Sequence, residues 1–176
     1  MGANTPDGFV GFFDKMADNY PLKKLYILKG GSGVGKSTFI RNFAQHFITQ
    51  ATQTEAKLTV DYILCSADPD SYDGAILHEA GIAIIDGTSP HITDPKYPGL
   101  VEEIIDLAQF IDTKKIRATR EKIRVLQDKR KECFRRATAE LAQARIIHAE
   151  VETIFTASVD FKKVDRLLEK LISEVG

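Results

Sequence analysis

The segment Gly30-Gly31-Ser32-Gly33-Val34-Gly35-Lys36-Ser37-Thr38 constrains this chain more than any other. It follows Leu25-Tyr26-Ile27-Leu28, a short apolar run of strand character. It precedes residues 36–50, where Phe39, Ile40, Phe43, Ala44, Phe47 and Ile48 recur on one helical face. Gly30, Gly35, Lys36 and Ser37 meet the phosphate-binding pattern G-x-x-x-x-G-K-[ST], and the strand-then-helix context is the one that pattern requires. Successive backbone N–H groups of such a loop curl around phosphate oxygens as an anion nest. The helix N-terminus adds free donors and a favourable dipole. Glycine is needed because a Cβ would hinder both the curl and the close approach of phosphate. In this pattern Lys36 reaches the β- and γ-phosphates, the Ser37 hydroxyl ligates Mg²⁺, and Thr38 touches the α-phosphate. ATP and Mg²⁺ are the expected ligands. The alternative is an incidental glycine-rich turn with Lys36 as a surface lysine.

A Mg²⁺-holding carboxylate is expected at the end of another apolar strand. Asp86, after Ile82-Ala83-Ile84-Ile85, fits, with a plain turn aspartate as the alternative. Gly87 follows it, where many ATPases of this kind carry a water-activating glutamate that kinase-like and GTPase-like relatives lack, so this position supplies no base. Leu58 to Cys65 reads as a further strand, and Asp68, Asp70 and Asp73 follow it at the sheet edge where α/β proteins bind ligands. They are candidate bases or a solvated Asp/Pro turn; Glu79 is a weaker candidate. Thr88, Ser89 and His91 could sense a γ-phosphate or polarise water, or could simply cap a loop. His46, His78, His91 and His148 show no metal-ligand spacing, so zinc is not expected.

Eleven of the 12 glycines and all six prolines lie before residue 100. Turns therefore crowd the first half, and the second half reads as long helices. Thr5-Pro6 is expected to cap a short helix carrying Phe9, Phe12, Phe13 and Met16. Leu100, Val101, Ile104, Ile105, Ala108 and Ile111 share another helical stripe. Residues 112–157 hold neither Gly nor Pro, and fit one long helix or an antiparallel pair, before a final helix capped by Asp160. Apolar strands separated by helix-length connections predict an α/β fold with a parallel sheet covered on both faces. Together these readings give a P-loop NTPase of three layers, α/β/α, with a nucleotide-binding core over 1–111 and a helical arm over 112–176 packed on it.

The formal net charge of −1 conceals a division. Residues 1–113 carry 8 Lys/Arg and 15 Asp/Glu, residues 114–136 carry 11 and 3, and residues 137–176 carry 5 and 7. The basic stretch could supply an arginine finger, meet nucleic acid, meet the acidic half of another copy, or form a solvated helix face. Only Phe134 interleaves with its charges, which disfavours single-stranded nucleic acid. No apolar run approaches the ~20 residues that span a bilayer. The N-terminus lacks a signal-peptide layout, Pro6 stands where myristoylation needs Ser or Thr, and two cysteines suit a reducing cytoplasm.

Asn4-Thr5-Pro6-Asp7-Gly8-Phe9, the 30–38 loop, Cys65-Ser66-Ala67-Asp68-Pro69-Asp70-Ser71, Ile85-Asp86-Gly87-Thr88-Ser89-Pro90-His91 and Asp94-Pro95-Lys96-Tyr97-Pro98-Gly99 together resemble an uncharacterised bacterial P-loop ATPase family found mainly in Firmicutes. The resemblance covers nearly the whole chain. Members are about twice as long and carry two similar P-loop halves; this chain resembles one half. The resemblance implies ATP binding and hydrolysis. Only three strands are legible here, whereas such a sheet usually has about five. Strands therefore hide in irregular segments, or a second copy completes the burial. Self-association is expected, as a homodimer or with a second P-loop half.

Three functions fit these residues. The first is a Mg²⁺-dependent ATPase acting as a switch or motor, with an acidic group or His91 orienting water. The second is a small-molecule or nucleotide kinase, with the 68–73 segment activating an acceptor hydroxyl. The third is a non-catalytic, nucleotide-gated binding module. No N/T-K-x-D base-reading motif is present, which favours ATP over GTP.

Overall fold

The computed structural model describes residues 2–175 of the chain. It opens with a hairpin, β1 (Gly2–Thr5) and β2 (Gly8–Gly11), rather than the expected helix. The turn chemistry is local. The Thr5 hydroxyl accepts from the Asp7 N–H at 3.1 Å and donates to the Gly8 carbonyl at 2.7 Å. Gly8 takes φ +101°, a left-handed conformation that closes a two-residue turn. Helical structure begins only at a 3₁₀ turn, Phe13–Lys15, continuing into α1 (Met16–Asn19).

A five-stranded sheet forms the centre: β3 (Lys24–Lys29), β4 (Val60–Leu64), β5 (Tyr72–Leu77), β6 (Ile82–Asp86) and β7 (Glu102–Asp106), in the order β4-β5-β6-β3-β7. β3 runs parallel to β6 and to β7, whereas β5 runs antiparallel to both β4 and β6. This mixed sheet corrects the expected three-layer P-loop NTPase fold with its parallel sheet. The reason is connection length. Only short turns join β4 to β5 and β5 to β6, and a tight turn can return a strand only antiparallel, because a parallel partner needs a crossover of a dozen or more residues. One such turn is pinned by Ser71 N–H to the Asp68 carbonyl and Cys65 N–H to the Ser71 carbonyl, both 3.0 Å; the other closes at Gly81, φ +67°. Both missing strands lie within this chain. β5 carries Asp73 and Gly74 inside an otherwise apolar run, and β7 falls in a stretch whose spacing suggests a helix.

Alternation along β3 sends Leu25 and Ile27 to one face and Tyr26 and Leu28 to the other. On the second face α2 (Lys36–Gln53) packs Ile40, Phe43, Ala44 and Phe47 over Leu28, Ala75, Leu77 and Ile84. On the first face, the described residues of the cluster include none from a long helix. Phe13, Met16 and Ala17 of the helical turn, with Phe9 of the hairpin, cover Leu25, Ile27, Ile63, Ile76, Ala83 and Ile85.

After a 3₁₀ turn at Leu107–Phe110, Asp112 caps α3 (Thr113–Ala118) through the amides of Lys114 and Lys115. Then α4 (Arg120–Ser158) runs unbroken, a single helix of 39 residues rather than a hairpin. At 1.5 Å per residue it is about 58 Å long. α5 (Phe161–Val175) follows. Ile146, Ile147, Val151, Ile154 and Phe155 of α4, and Val164, Leu167, Leu168, Leu171 and Ile172 of α5, are exposed. No helix among the described residues is long and apolar enough to cross a membrane.

The burial pattern sets where the chain is fragile. Ile85→Ala removes a fully buried side chain of the central sheet and is expected to cost about 2–5 kcal/mol. Ile154→Ala on exposed α4 is expected to cost about 0.5 kcal/mol or less. Urea unfolding of the two variants measures the contrast.

Candidate functional site

The loop from Gly30 to Gly35 leaves the carboxyl end of β3 and enters α2 with Gly35 as its N-cap. Gly30, Gly33 and Gly35 have φ of +143°, +84° and +91°, a conformation only glycine adopts cheaply. At Gly30 a side chain would also press on Val34 Cγ2 at 2.8 Å. The Lys36 ammonium donates to the carbonyls of Gly30 at 2.8 Å and Gly31 at 3.0 Å, and stands 3.5 Å from the Asp86 carboxylate. The expected lysine and aspartate therefore meet, although 50 residues separate them. Ser37 accepts the Tyr72 N–H at 2.9 Å, and Thr38 is exposed on the first turn of α2.

Asp86 ends β6 and is held by its neighbour Thr88. The Asp86 Oδ1 accepts from the Thr88 N–H at 2.8 Å and from the Thr88 hydroxyl. Gly87 is buried, and a Cβ there would collide with the Ile27 side chain. Any side chain at this position would force Ile27 or the backbone to shift. Lys29 secures the segment beyond, donating to the carbonyls of Gly87 at 2.9 Å and Thr93 at 2.7 Å, and to Asp94 at 3.1 Å.

These elements surround a cavity of about 600 Å³. Its floor is Gly30, Gly31, Ser32, Lys36 and Asp86; one wall is Thr88, Ser89, Pro90 and His91; a second is Cys65, Ser66, Ala67 and Asp73. Asn4 and Phe9 of the hairpin close one side, with Asn4 donating to the Ser66 carbonyl at 3.1 Å. The roof is α4, through Gln127, Arg130, Lys131, Phe134 and Thr138. Arg130 donates to the Ser32 hydroxyl at 3.1 Å, and farther along the same helix Arg145 pairs with Asp7 at 2.9 Å.

Of the candidate bases, Asp73 and His91 lie in the cavity wall and touch, His91 Nε2 standing 3.0 Å from the Asp73 carboxylate. They are 6% and 7% exposed. Asp68 and Asp70 sit instead in the exposed turn before β5. The Ser71 hydroxyl and Asp70 amide hold the Asp68 carboxyl below its ordinary range, making it a weak proton acceptor. Glu79 lies at the opposite end of the sheet, engaged with Thr59 and Lys57. Burial raises the Cys65 thiol above its usual value, with a smaller push from the Asp73 charge. The basic run is mostly solvated and partly self-paired, Arg124 with Glu121 and Asp128, and Arg135 with Glu132.

Three contributors escape sequence reasoning. Phe9 and Asn4 enter because their segment is a hairpin, and Arg130 is singled out among eleven cations only by where α4 docks. The signal for Arg130 was the charge run itself, which identifies no member. No family model, curated protein or solved structure matches this chain.

The fit between Gly87 and Ile27 is open to a coupling test. Gly87→Ala is expected to destabilise the chain by about 1–3 kcal/mol through overpacking. In an Ile27→Ala background the same change is expected to cost clearly less. A double-mutant cycle by chemical denaturation measures the coupling.

Proposed function

We propose that this chain binds a nucleoside triphosphate, ATP by preference, with Mg²⁺ at the 30–38 loop and hydrolyses it to ADP and phosphate. The observation that carries the reading is the convergence of Lys36 and Asp86 at 3.5 Å beneath a cavity that opens onto a glycine-rich strand-to-helix loop. The backbone N–H groups of that loop and of the α2 N-terminus receive the phosphates. Lys36 exchanges the carbonyls of Gly30 and Gly31 for β- and γ-phosphate oxygens, a swap that replaces neutral acceptors by charged ones. The Ser37 hydroxyl and the Asp86 carboxylate are hard oxygen donors of the kind Mg²⁺ takes. Mg²⁺ supplies neutralisation of the charge that builds on the phosphoryl oxygens. Arg130, already on the loop at Ser32, is placed to meet that same charge from α4.

The arm favours a switch over a kinase. A cation from α4 standing over the phosphate loop makes the arm's docking respond to the γ-phosphate. Of the 68–73 segment that the kinase reading invokes, Asp68 and Asp70 are outside the cavity wall, and Asp73, which lies in it, is paired with His91.

Phosphate release from Mg²⁺-ATP tests the reading, with GTP and a panel of nucleosides and sugars alongside. Lys36→Ala is expected to abolish release. Arg130→Ala is expected to lower kcat by about 10³, with little change in the affinity of the ground state. Release that survives Lys36→Ala would overturn the site, and ADP formation only with an acceptor would make the protein a kinase.

A further inference from the structure

Beside the phosphate loop lies a cluster that nucleotide binding does not use. Cys65 follows β4, Asp73 is on β5 and His91 lies in the loop after β6, and each offers one ligand atom within 4.8 Å of the other two. We propose that Cys65, Asp73 and His91 form a binding site for a borderline-soft divalent cation of the zinc class, with a fourth coordination position open to the cavity.

The donor set is the first argument. Thiolate, imidazole and carboxylate together suit zinc and its neighbours in the transition series, whereas Mg²⁺ avoids sulfur and keeps to oxygen. This site is therefore chemically distinct from the oxygen donors Ser37 and Asp86. Bonds of about 2.0–2.3 Å at tetrahedral angles put neighbouring ligand atoms about 3.3–3.7 Å apart. The His91–Asp73 separation of 3.0 Å is already near that spacing. Closing the set requires a thiol movement on the order of 1 Å, within reach of a change in the cysteine rotamer.

Preorganisation is the second argument. The His91 ring is fixed by packing, with Phe9 edge-on at 4.6 Å and Phe13 at 4.8 Å between centroids. Its backbone is tied at both ends, the N–H to the Thr88 carbonyl at 2.8 Å and the carbonyl to the Thr93 hydroxyl at 2.9 Å. Nδ1 is buried and has no hydrogen-bond partner. The ring's polar contact is through Nε2, with the Asp73 carboxylate at 3.0 Å, and packing rather than an Nδ1 partner fixes its orientation. Aromatic packing leaves Nε2 facing that carboxylate, with the Cys65 thiol in the same cluster.

Charge balance is the third. A divalent cation balances this donor set: one thiolate, one carboxylate and a neutral imidazole leave the occupied site with no net charge. Binding releases the thiol proton to solvent. Three protein donors with an accessible fourth position is the arrangement of catalytic rather than closed structural zinc sites. Spacing rules overlook it because positions 65, 73 and 91 meet through strand pairing and not within one turn.

Cobalt titration of the chelator-treated full chain tests the site, because a thiolate bound to Co²⁺ gives an intense near-ultraviolet charge-transfer band and tetrahedral Co²⁺ gives strong visible bands. One equivalent is expected to bind with both signatures and to be displaced by Zn²⁺. Cys65→Ser is expected to abolish the charge-transfer band, Cys133→Ser to leave it, and Asp73→Asn to weaken binding at least tenfold. Circular dichroism checks that the Cys65→Ser variant is folded, and His91→Gln, which keeps a polar side chain, gives a second variant expected to weaken binding. Lys36→Ala is expected to bind Co²⁺ as the parent does, so the metal site and the nucleotide reading can fail separately. No charge-transfer band in the parent chain, or one that survives Cys65→Ser in a folded protein, would overturn the site.

Discussion

Everything in the site depends on β3 being paired in parallel on both sides. Lys24 to Leu28 pair with β6 on one flank and Leu25 to Lys29 with β7 on the other, with Ile27 opposite both Ile85 and Ile104. Parallel pairing brings the carboxyl ends of β3 and β6 to the same edge, and open α/β sheets bind ligands beyond such ends. The glycine loop leaves one end and Asp86 ends the other, so Lys36 and Asp86 meet without any long-range contact dedicated to bringing them together. Ile27 and Gly87 then pack tightly across this pair. That close approach fixes how the Thr88–His91 wall departs, and Lys29 holds it from beneath.

The antiparallel strand adds what a parallel sheet would not supply. Because β5 runs against β6, it is the start of β5 that lies at this edge, with Gly74 opposite Ile85. Asp73 therefore arrives beside His91. Had β5 been parallel, its amino end would face the opposite edge, where Glu79 and Lys57 lie. The departure from the expected sheet is thus the reason that a carboxylate, a thiol and an imidazole share one wall.

The sequence was legible where the cause is local. Leu25–Leu28 and Ile82–Ile85 are continuous apolar runs, and continuous runs mark strands buried on both faces. The glycine-rich turn between β3 and α2 was readable because its conformation is set within a few residues, three of them glycines with left-handed backbone. Asp73-Gly74 inside β5 disguised a strand whose residues from Asp73 to Leu77 are all buried. Ile104 and Ile105 satisfied a helical spacing, yet the unpaired edge of β3 offered parallel hydrogen bonds and tertiary pairing overrode the pattern. Thr5-Pro6 suits a helix cap by its residue types, yet the left-handed backbone of Gly8 makes it a hairpin turn. Arg130, Phe134 and the Cys65–Asp73–His91 group were out of reach, since each depends on how separate elements dock.

The arm is attached differently from the core. Its residues are almost all exposed, and its reach onto the core includes Arg145 with Asp7, Arg130 with Ser32, and the cavity-facing side chains around Phe134. Exposed ion pairs contribute about 1 kcal/mol or less each. An element held by so little buried apolar surface opens at far lower free energy than the sheet beneath it. A polyanion entering the cavity adds charge directly under Arg130 and Lys131, in a partly enclosed site where screening is weaker than at the surface. Its attraction for the arm would add to the few contacts that hold the arm down. The division between an acidic core and a basic helix is invisible in a net charge of −1, and under the proposed nucleotide reading an anion bound between them would change how tightly they hold together.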